Sequence, residues 1–335
     1  MKHIKNKKVV IFGVTGNCGR VIAERLIHQN CKVFGVGRSP DPKISKLSYI
    51  KGDICDSSIY DFLPRCADMV INLAGVQPSI LKTSENTDLA KTLSSYIDVN
   101  IVGVFNVLEF VRRNNISTYF YTTTHRDYEK HWQNGKSLGN NLPIAINFKG
   151  DHSMYAISKT SAKMIGDYYS ESFGIRAFNL RLPMIFLVPQ KPTYLKDGVP
   201  TIMPFLQIIR KAIDGEDLEI WGDPNLKRDY VHIDNLINLI ELCYSSKLKR
   251  GTFNVGTGEA VTTEEFVRTV AEVFSKSPTT TKFIYRPEIK TYKCASYDVS
   301  EQKQQLGYVP ICLNEMLRTL KSDIVKLDCI SRWGW

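Results

Sequence analysis

The segment Val9-Val10-Ile11-Phe12-Gly13-Val14-Thr15-Gly16-Asn17-Cys18-Gly19 restricts the fold more than any other stretch of the chain. Four consecutive apolar residues read as a buried strand. Three glycines spaced Gly-x-x-Gly-x-x-Gly follow, and Val21 to Ile27 then carries a helical pattern. A strand, a glycine turn and a helix in this order open a βαβ unit. There the backbone amides of the turn and the helix N-terminus can hold a pyrophosphate. Three glycines in an ordinary turn account poorly for that strand and helix on either side.

The alternation continues. Lys8 to Phe12, Lys32 to Val36, Leu47 to Ile50, Asp68 to Leu73, Thr118 to Thr123 and Phe178 to Leu182 read as six strands, with a long helix from about Leu89 to Arg113. Strands separated by helices imply an α/β fold with a Rossmann-like, doubly wound parallel sheet. Ligands of such sheets bind beyond the carboxyl ends of the strands. Lys130 to Asp151 is polar, with glycines and asparagines, and reads as a long loop, a candidate lid. After Pro183 the alternation breaks. A smaller α/β lobe is expected from there, with the chain returning to the first lobe near Tyr230-Val231-His232.

Composition narrows the class. The 335 residues are 43% hydrophobic and 23% charged, as in soluble globular proteins. No uninterrupted apolar run approaches the ~18 residues of a spanning helix, and the basic N-terminus lacks a secretory apolar region. A cytoplasmic protein with no membrane partner is expected. Eight cysteines are scattered without a Cys-x-x-Cys, so no zinc site is expected and reduced thiols are. Cys18, inside the glycine loop, is a candidate for alkylation. The net charge of +10 is dispersed, with no nucleic-acid motif, so no nucleic-acid partner is expected; a ligand with several phosphates accounts for part of it.

Tyr155 and Lys159 form a Tyr-x-x-x-Lys pair downstream of the glycine loop. On a helix, positions four apart share a face. An ammonium beside a phenol favours the phenolate, which lets a tyrosine move a proton near neutral pH. With a dinucleotide loop upstream, the partner of that proton is a hydride exchanged with a nicotinamide cofactor.

Other candidates fall at strand ends. Gly13, Gly16, Asn17, Cys18 and Gly19 form the phosphate loop. After strand two stand Arg38 and Ser39 where an NAD-selective site carries an acid. An arginine attracts a 2′-phosphate, so NADP is the expected cofactor, with NAD as the alternative. Asp53 is placed to hydrogen-bond adenine. Leu73, Ala74 and Gly75 are small residues for close backbone approach to the cofactor. Thr122 and Thr124 end strand five, where a hydroxyl faces the substrate oxygen. His125 and His232 have no partners at metal-ligand spacing and read as structural.

Together these residues resemble the extended short-chain dehydrogenase/reductase family, in its NAD-dependent epimerase/dehydratase branch. The likeness adds Asp53-Ile54, Asn100, Leu180-Arg181, Trp221-Gly222-Asp223, Arg228 to Asp234, Phe253 to Gly258, Tyr285-Arg286-Pro287 and Leu306 to Pro310. The resemblance implies that Tyr155 is the acid/base, that Lys159 binds the nicotinamide ribose and tunes Tyr155, and that Thr124 hydrogen-bonds the reacting sugar oxygen. It implies Ile54 and Asn100 in the cofactor site, and Met184, Trp221, Arg228 and Arg286 against a nucleotide-diphosphate sugar, the two arginines on its diphosphate. It also implies a homodimer through the long helix and the helix of Tyr155. The cofactor domain is expected at 1–181 with 229–256, and the sugar-nucleotide domain at 182–228 with 257–335.

The expected activity is that of an NAD(P)-dependent epimerase or 4-ketoreductase acting at C4 of a nucleotide-linked hexose. A 4,6-dehydratase and a non-catalytic NAD(P) sensor are the alternatives. Three departures bear on the sugar: Asp127-Tyr128-Glu129 for the usual Val-Tyr-Gly, Met184 for an asparagine, and Phe186-Leu187-Val188 for Tyr-Gly-Pro. Dehydratases of the family usually follow the catalytic hydroxyl with Asp-Glu or Ser-Glu; His125-Arg126 here weakens that alternative.

Overall fold

The structure is a computed structural model describing residues 4–78, 89–149, 152–196, 199–291 and 295–335. Its centre is a seven-stranded sheet. The strands are β1 (Lys8–Phe12), β2 (Lys32–Gly37), β3 (Ser48–Lys51), β4 (Met69–Asn72), β5 (Thr118–Thr124), β6 (Arg176–Leu182) and a strand that returns late in the chain, Arg250–Asn254. Every pairing is parallel, and the order from the late strand is Arg250–Asn254, β6, β5, β4, β1, β2, β3. The six strands read from the sequence are all present. The seventh is an addition: it lies at the sheet edge and starts Arg-Gly-Thr, without the apolar run that marks a buried strand.

The sheet is covered on both faces, as a parallel sheet requires. Val9 and Ile11 of β1 pack into one core with Ile22 and Leu26 of α1 (Asn17–His28), and Val10 and Phe12 into a second. That second core contains the side chains of the long helix and of the helix bearing Tyr155. The long helix is interrupted. It runs as α2 (Leu89–Ile97), a π-helical turn over Asp98–Val102, and α3 (Gly103–Arg113). The Tyr155 helix is α4 (Ser153–Phe173), ended by Gly174 at φ +70°. Among the described residues, Ala90–Arg113 is long and apolar enough to cross a membrane by length and composition, but half of it is buried in the protein.

The second lobe is built on α5 (Pro204–Asp214), a parallel pair of strands β7 (Leu218–Trp221) and β8 (Phe283–Arg286), α7 (Thr263–Phe274) and α9 (Leu313–Lys326), with their own apolar core. Between them α6 (Ile233–Ser245) returns to the first lobe, where Asp234 pairs with Arg25 of α1 at 2.8 Å. The late sheet strand, β9 (Arg250–Asn254), comes directly after α6, and α8 is Ser300–Leu306. Trp333 and Trp335 dock on the second lobe's core with ring centroids 4.8 Å apart.

Candidate functional site

Gly13 has φ +82°, and a Cβ there would sit 2.8 Å from the Ala74 nitrogen and 2.9 Å from the Leu73 carbonyl carbon. The turn can therefore lie against the end of β4 only because position 13 lacks a side chain. At Gly19 a Cβ would meet the Gly13 oxygen at 2.2 Å, so the first turn of α1 closes directly onto the loop. Gly13 and Val14 donate to the Val36 carbonyl at 2.9 and 3.1 Å, and Gly16 donates to Gly13 at 3.1 Å. Gly16 caps α1, leaving the helix N-terminus facing the crevice beyond β1. Burial pushes the Cys18 thiol up to about 12, so its thiolate is scarce and the alkylation expectation is not supported.

The π-helical turn presents Asn100, which is fully buried, to the end of β4. Val76 N–H donates to its Oδ1 at 2.8 Å, and its Nδ2 donates to the Val76 carbonyl at 3.2 Å and to Ser158 Oγ at 3.0 Å. Leu73 N–H donates to Phe12 at 2.9 Å, and Ala74 N–H to Asn72 Oδ1 at 3.1 Å. A Cβ at Gly75 would lie 3.1 Å from Asn100 Oδ1 and 3.6 Å from Lys159 Nζ. The residues at the end of β4 thus keep their backbone close to Asn100 and Lys159, and a glycine turn, a helix N-terminus and a buried lysine together suit a dinucleotide chemically. Ser158, absent from the sequence reading, lies between Tyr155 and Lys159 and could have been found by its place inside the Tyr-x-x-x-Lys helix.

The Thr124 side chain lies close enough to the Tyr155 phenol to favour its ionised form. Burial pushes the phenol up to about 12, against smaller opposing effects of Thr124 and Arg126. Lys159 is buried and its pKa falls to about 7 for the same reason; its ammonium lies over the Tyr121 ring, 4.3 Å from the centroid. Here the sequence reading needs correcting. Lys159 is not among the groups lowering the Tyr155 pKa; burial dominates both, and the cation acting on the phenol is Arg126. His125 is held neutral by burial, its pKa falling to about 3, while His232 caps α6 by accepting from Asp234 N–H at 3.2 Å.

Beyond the ends of β2 and β3, Arg38 and Asp53 face each other, Nη1 to Oδ2 3.8 Å, both substantially exposed. Asp53 also accepts from Cys55 N–H at 3.0 Å. Ser39 accepts from Tyr49 through its carbonyl, and Ile54 is buried, its carbonyl accepting from Tyr60 Oη at 2.9 Å. Thr122 is buried at the end of β5.

In the second lobe, Trp221 and Arg286 are register partners on β7 and β8. Glu219 joins them: it accepts from Trp221 Nε1 at 2.7 Å and lies 3.6 Å from Arg286 Nη1. Arg286 also pairs with Glu288 at 2.5 Å. Arg228 stands in a short strand paired with Val261–Thr262, and Met184 is exposed just past β6.

The candidate lid at 130–151 is instead a brace over its described residues. Ser137–Leu138 pairs in parallel with Ser296–Tyr297, and Leu138 is fully buried. Asn140 donates to Gln302 Oε1 on α8 at 3.0 Å and accepts from Asn254 N–H of β9 at 2.8 Å. Beneath it, Arg181 at the end of β6 is buried against Asp127, Nε to Oδ2 2.9 Å, with Asn254 Oδ1 at 2.7 Å and the Tyr128 ring 3.8 Å below its guanidinium. Residues 150–151 of the expected lid lie outside the described residues.

The sequence pattern of the NAD dependent epimerase/dehydratase family matches residues 9–256. Protein CapI of Staphylococcus aureus is 23% identical over 302 residues, covering 80% of this chain and 84% of that protein. The fold is shared with UDP-glucose 4-epimerase of Thermotoga maritima, solved with UDP-glucose (TM-score 0.74, 18% identity, 96% and 99% of the two chains). It is also shared with UDP-glucuronic acid 4-epimerase of Bacillus cereus, solved with NAD (TM-score 0.71, 20% identity, 96% and 97%). With most of its length under one family pattern and the glycine cradle of that family's cofactor in place, the chain belongs to the NAD dependent epimerase/dehydratase family of enzymes.

Proposed function

We propose that this enzyme works by hydride transfer at C4 of a nucleotide-linked hexose, as an epimerase or a 4-ketoreductase, with Tyr155 as its acid/base. The carrying observation is the convergence, at the carboxyl end of β5, of Thr124, the buried Tyr155 phenol on which it acts, and the buried Lys159 ammonium facing Gly75. Gly13, Gly16, Asn17, Cys18, Gly19, Leu73, Ala74 and Gly75 hold the dinucleotide by backbone, Asn100 by fixing the backbone of Val76, and Thr122 from the end of β5. When bound, the nicotinamide supplies the acceptor and donor of the C4 hydride.

The protein's own part is proton transfer and orientation. Thr124 holds the C4 oxygen against the Tyr155 phenol. A phenol held near 12 carries its proton at neutral pH, the state that reduction of a 4-keto sugar requires of its donor, while easy release or uptake of that proton needs the nearby cations. Lys159 orients the nicotinamide ribose. Residues 1–181 with 229–256 carry the cofactor and 182–228 with 257–335 the sugar nucleotide, where Arg228 and Arg286 grip the diphosphate and Trp221 and Met184 line the nucleotide. Incubation with NADPH and a nucleotide-linked 4-keto-6-deoxyhexose tests the direction. Stoichiometric loss of NADPH absorbance marks a reductase; conversion of a non-keto sugar nucleotide without added cofactor marks an epimerase; the absence of both sinks the reading.

NADP is the preferred cofactor in this reading, because Arg38 is exposed at the end of β2 and its ion pair with Asp53 is long. Arg38→Ala should weaken NADPH binding roughly 10-fold or more while changing NADH binding much less. Equal losses in a titration of both cofactors remove the preference.

The chain is a homodimer in this reading. Val102 and Phe105 of the long helix and Met164, Tyr168 and Phe173 of α4 are exposed on neighbouring helices. An apolar face of this kind marks a docking surface. Met164→Glu places a charge in it, and sedimentation should show the mass halved; an unchanged mass rejects this interface.

A further inference from the structure

The two residues after Thr124, His125 and Arg126, stand where acids are expected in dehydratases, and the structure holds both firmly. Arg126 N–H donates to Thr124 Oγ1 at 3.2 Å, fixing Arg126 on the first turn beyond β5, at the ligand end of the sheet. Its guanidinium lies 5.1 Å from the centre of the Trp132 ring, and Trp132 meets His125 edge-on at 5.0 Å. Arg126 Nη1 reaches Glu129 Oε2 at 3.0 Å, one turn along, and Glu129 also accepts from Asn147 Nδ2 at 3.3 Å. Glu129 therefore engages one edge of a fork with five donors. Two more polar atoms of the same cluster, Trp132 Nε1 and His125 Nδ1, are buried without a hydrogen-bond partner among the described residues. An indole N–H can only donate, and a buried donor left without an acceptor is unfavourable. Trp132 Nε1 and the remaining edge of the Arg126 fork are thus donors in want of an acceptor, next to the pair assigned to the C4 oxygen.

We propose that Arg126, with Trp132 and His125, receives a carboxylate borne by the sugar, so that the substrate is a nucleotide-linked hexuronic acid. The inference rests on the C4 hydride-transfer reading and narrows its substrate. A hexuronic acid carries its carboxylate on C6, two bonds from C4. A sugar whose C4 oxygen meets Thr124 and Tyr155 brings that group near a residue two positions from Thr124. A planar guanidinium fork beside an indole matches a carboxylate in geometry and charge. With His125 held neutral by its burial, the positive charge that selects the anion is that of Arg126.

The test compares kcat/KM for UDP-glucuronate and UDP-galacturonate with that for UDP-glucose and UDP-galactose, product sugars being separated chromatographically, in the wild type and in Arg126→Gln. The wild type is expected to favour the uronates. Arg126→Gln is expected to lower the uronate-to-neutral ratio on the order of 100-fold, mainly through KM, with Arg126→Lys recovering part of it. Trp132→Phe, which keeps the ring and removes the N–H, is expected to lower the ratio less. A wild-type preference for neutral hexoses, or equal losses on both classes in Arg126→Gln, overturns the inference and leaves the C4 reading standing. Failure of all four sugars, with NAD(P)H still bound, overturns the inference, and failure of the nucleotide-linked 4-keto-6-deoxyhexose as well overturns both.

Discussion

Tyr155→Phe is expected to lower turnover by a factor on the order of 10³, with cofactor binding nearly unchanged. The substitution removes one oxygen and keeps the ring, which packs beside Tyr96 with centroids 6.3 Å apart. What is lost is the phenolic proton beside Thr124. Because burial keeps the phenol protonated well above neutral pH, the wild-type donating step should show no loss from Tyr155 ionisation in the neutral range. Lys159 differs: its pKa near 7 means that any rate dependent on its ammonium falls as pH rises through about 7. A pH profile of kcat for wild type and Tyr155→Phe, beside a cofactor titration, checks both statements. Retained turnover in the phenylalanine variant would falsify the acid/base assignment.

Asp127→Ala is expected to destabilise the protein by about 3–5 kcal/mol. Arg181 and Asp127 are both almost fully buried, and removing the carboxylate leaves a guanidinium in the interior with only neutral partners, the Asn140 carbonyl and Asn254 Oδ1. Removing both charges together, as Asp127→Leu with Arg181→Met, should restore much of the loss, since apolar pairs of similar volume often replace buried ion pairs without cost. Urea denaturation of the three proteins measures it. A single variant within about 1 kcal/mol of wild type, the range of exposed ion pairs, would show that the pair contributes no more than a surface contact.

Much of the first lobe was legible because its signals are local. Val9 to Phe12, Met69 to Asn72 and Thr118 to Thr124 are short runs buried on both faces, and the turn after the first has the glycines that only close packing explains. Four features were not legible. The strand Arg250–Asn254 owes its burial to its neighbour β6 and its helix cover, not to its own composition. The brace at Ser137–Asn140 depends on partners more than 100 residues away, which no local pattern announces. The environment of Tyr155 was misjudged for a related reason: spacing of four puts Lys159 on the same side of α4, but depth decides which influence on the phenol is larger. The weight of Arg126 was missed because a charge run after a strand end looks like solvated surface until Trp132 is seen beneath it.

The π-helical turn at Asp98–Val102 has a consequence for attempts to improve this protein. A π turn spaces its bonds five residues apart, one more than an α-helix, so the side chain it carries is aimed where a regular helix could not aim it. Deleting a single residue there would give a smoother rod with better intrinsic propensity, yet it would swing Asn100 off the Val76 amide and carbonyl it holds. Here irregularity is the working part. A designer who straightened the helix for thermal endurance would be trading heat tolerance against the backbone we propose as the floor of the coenzyme site.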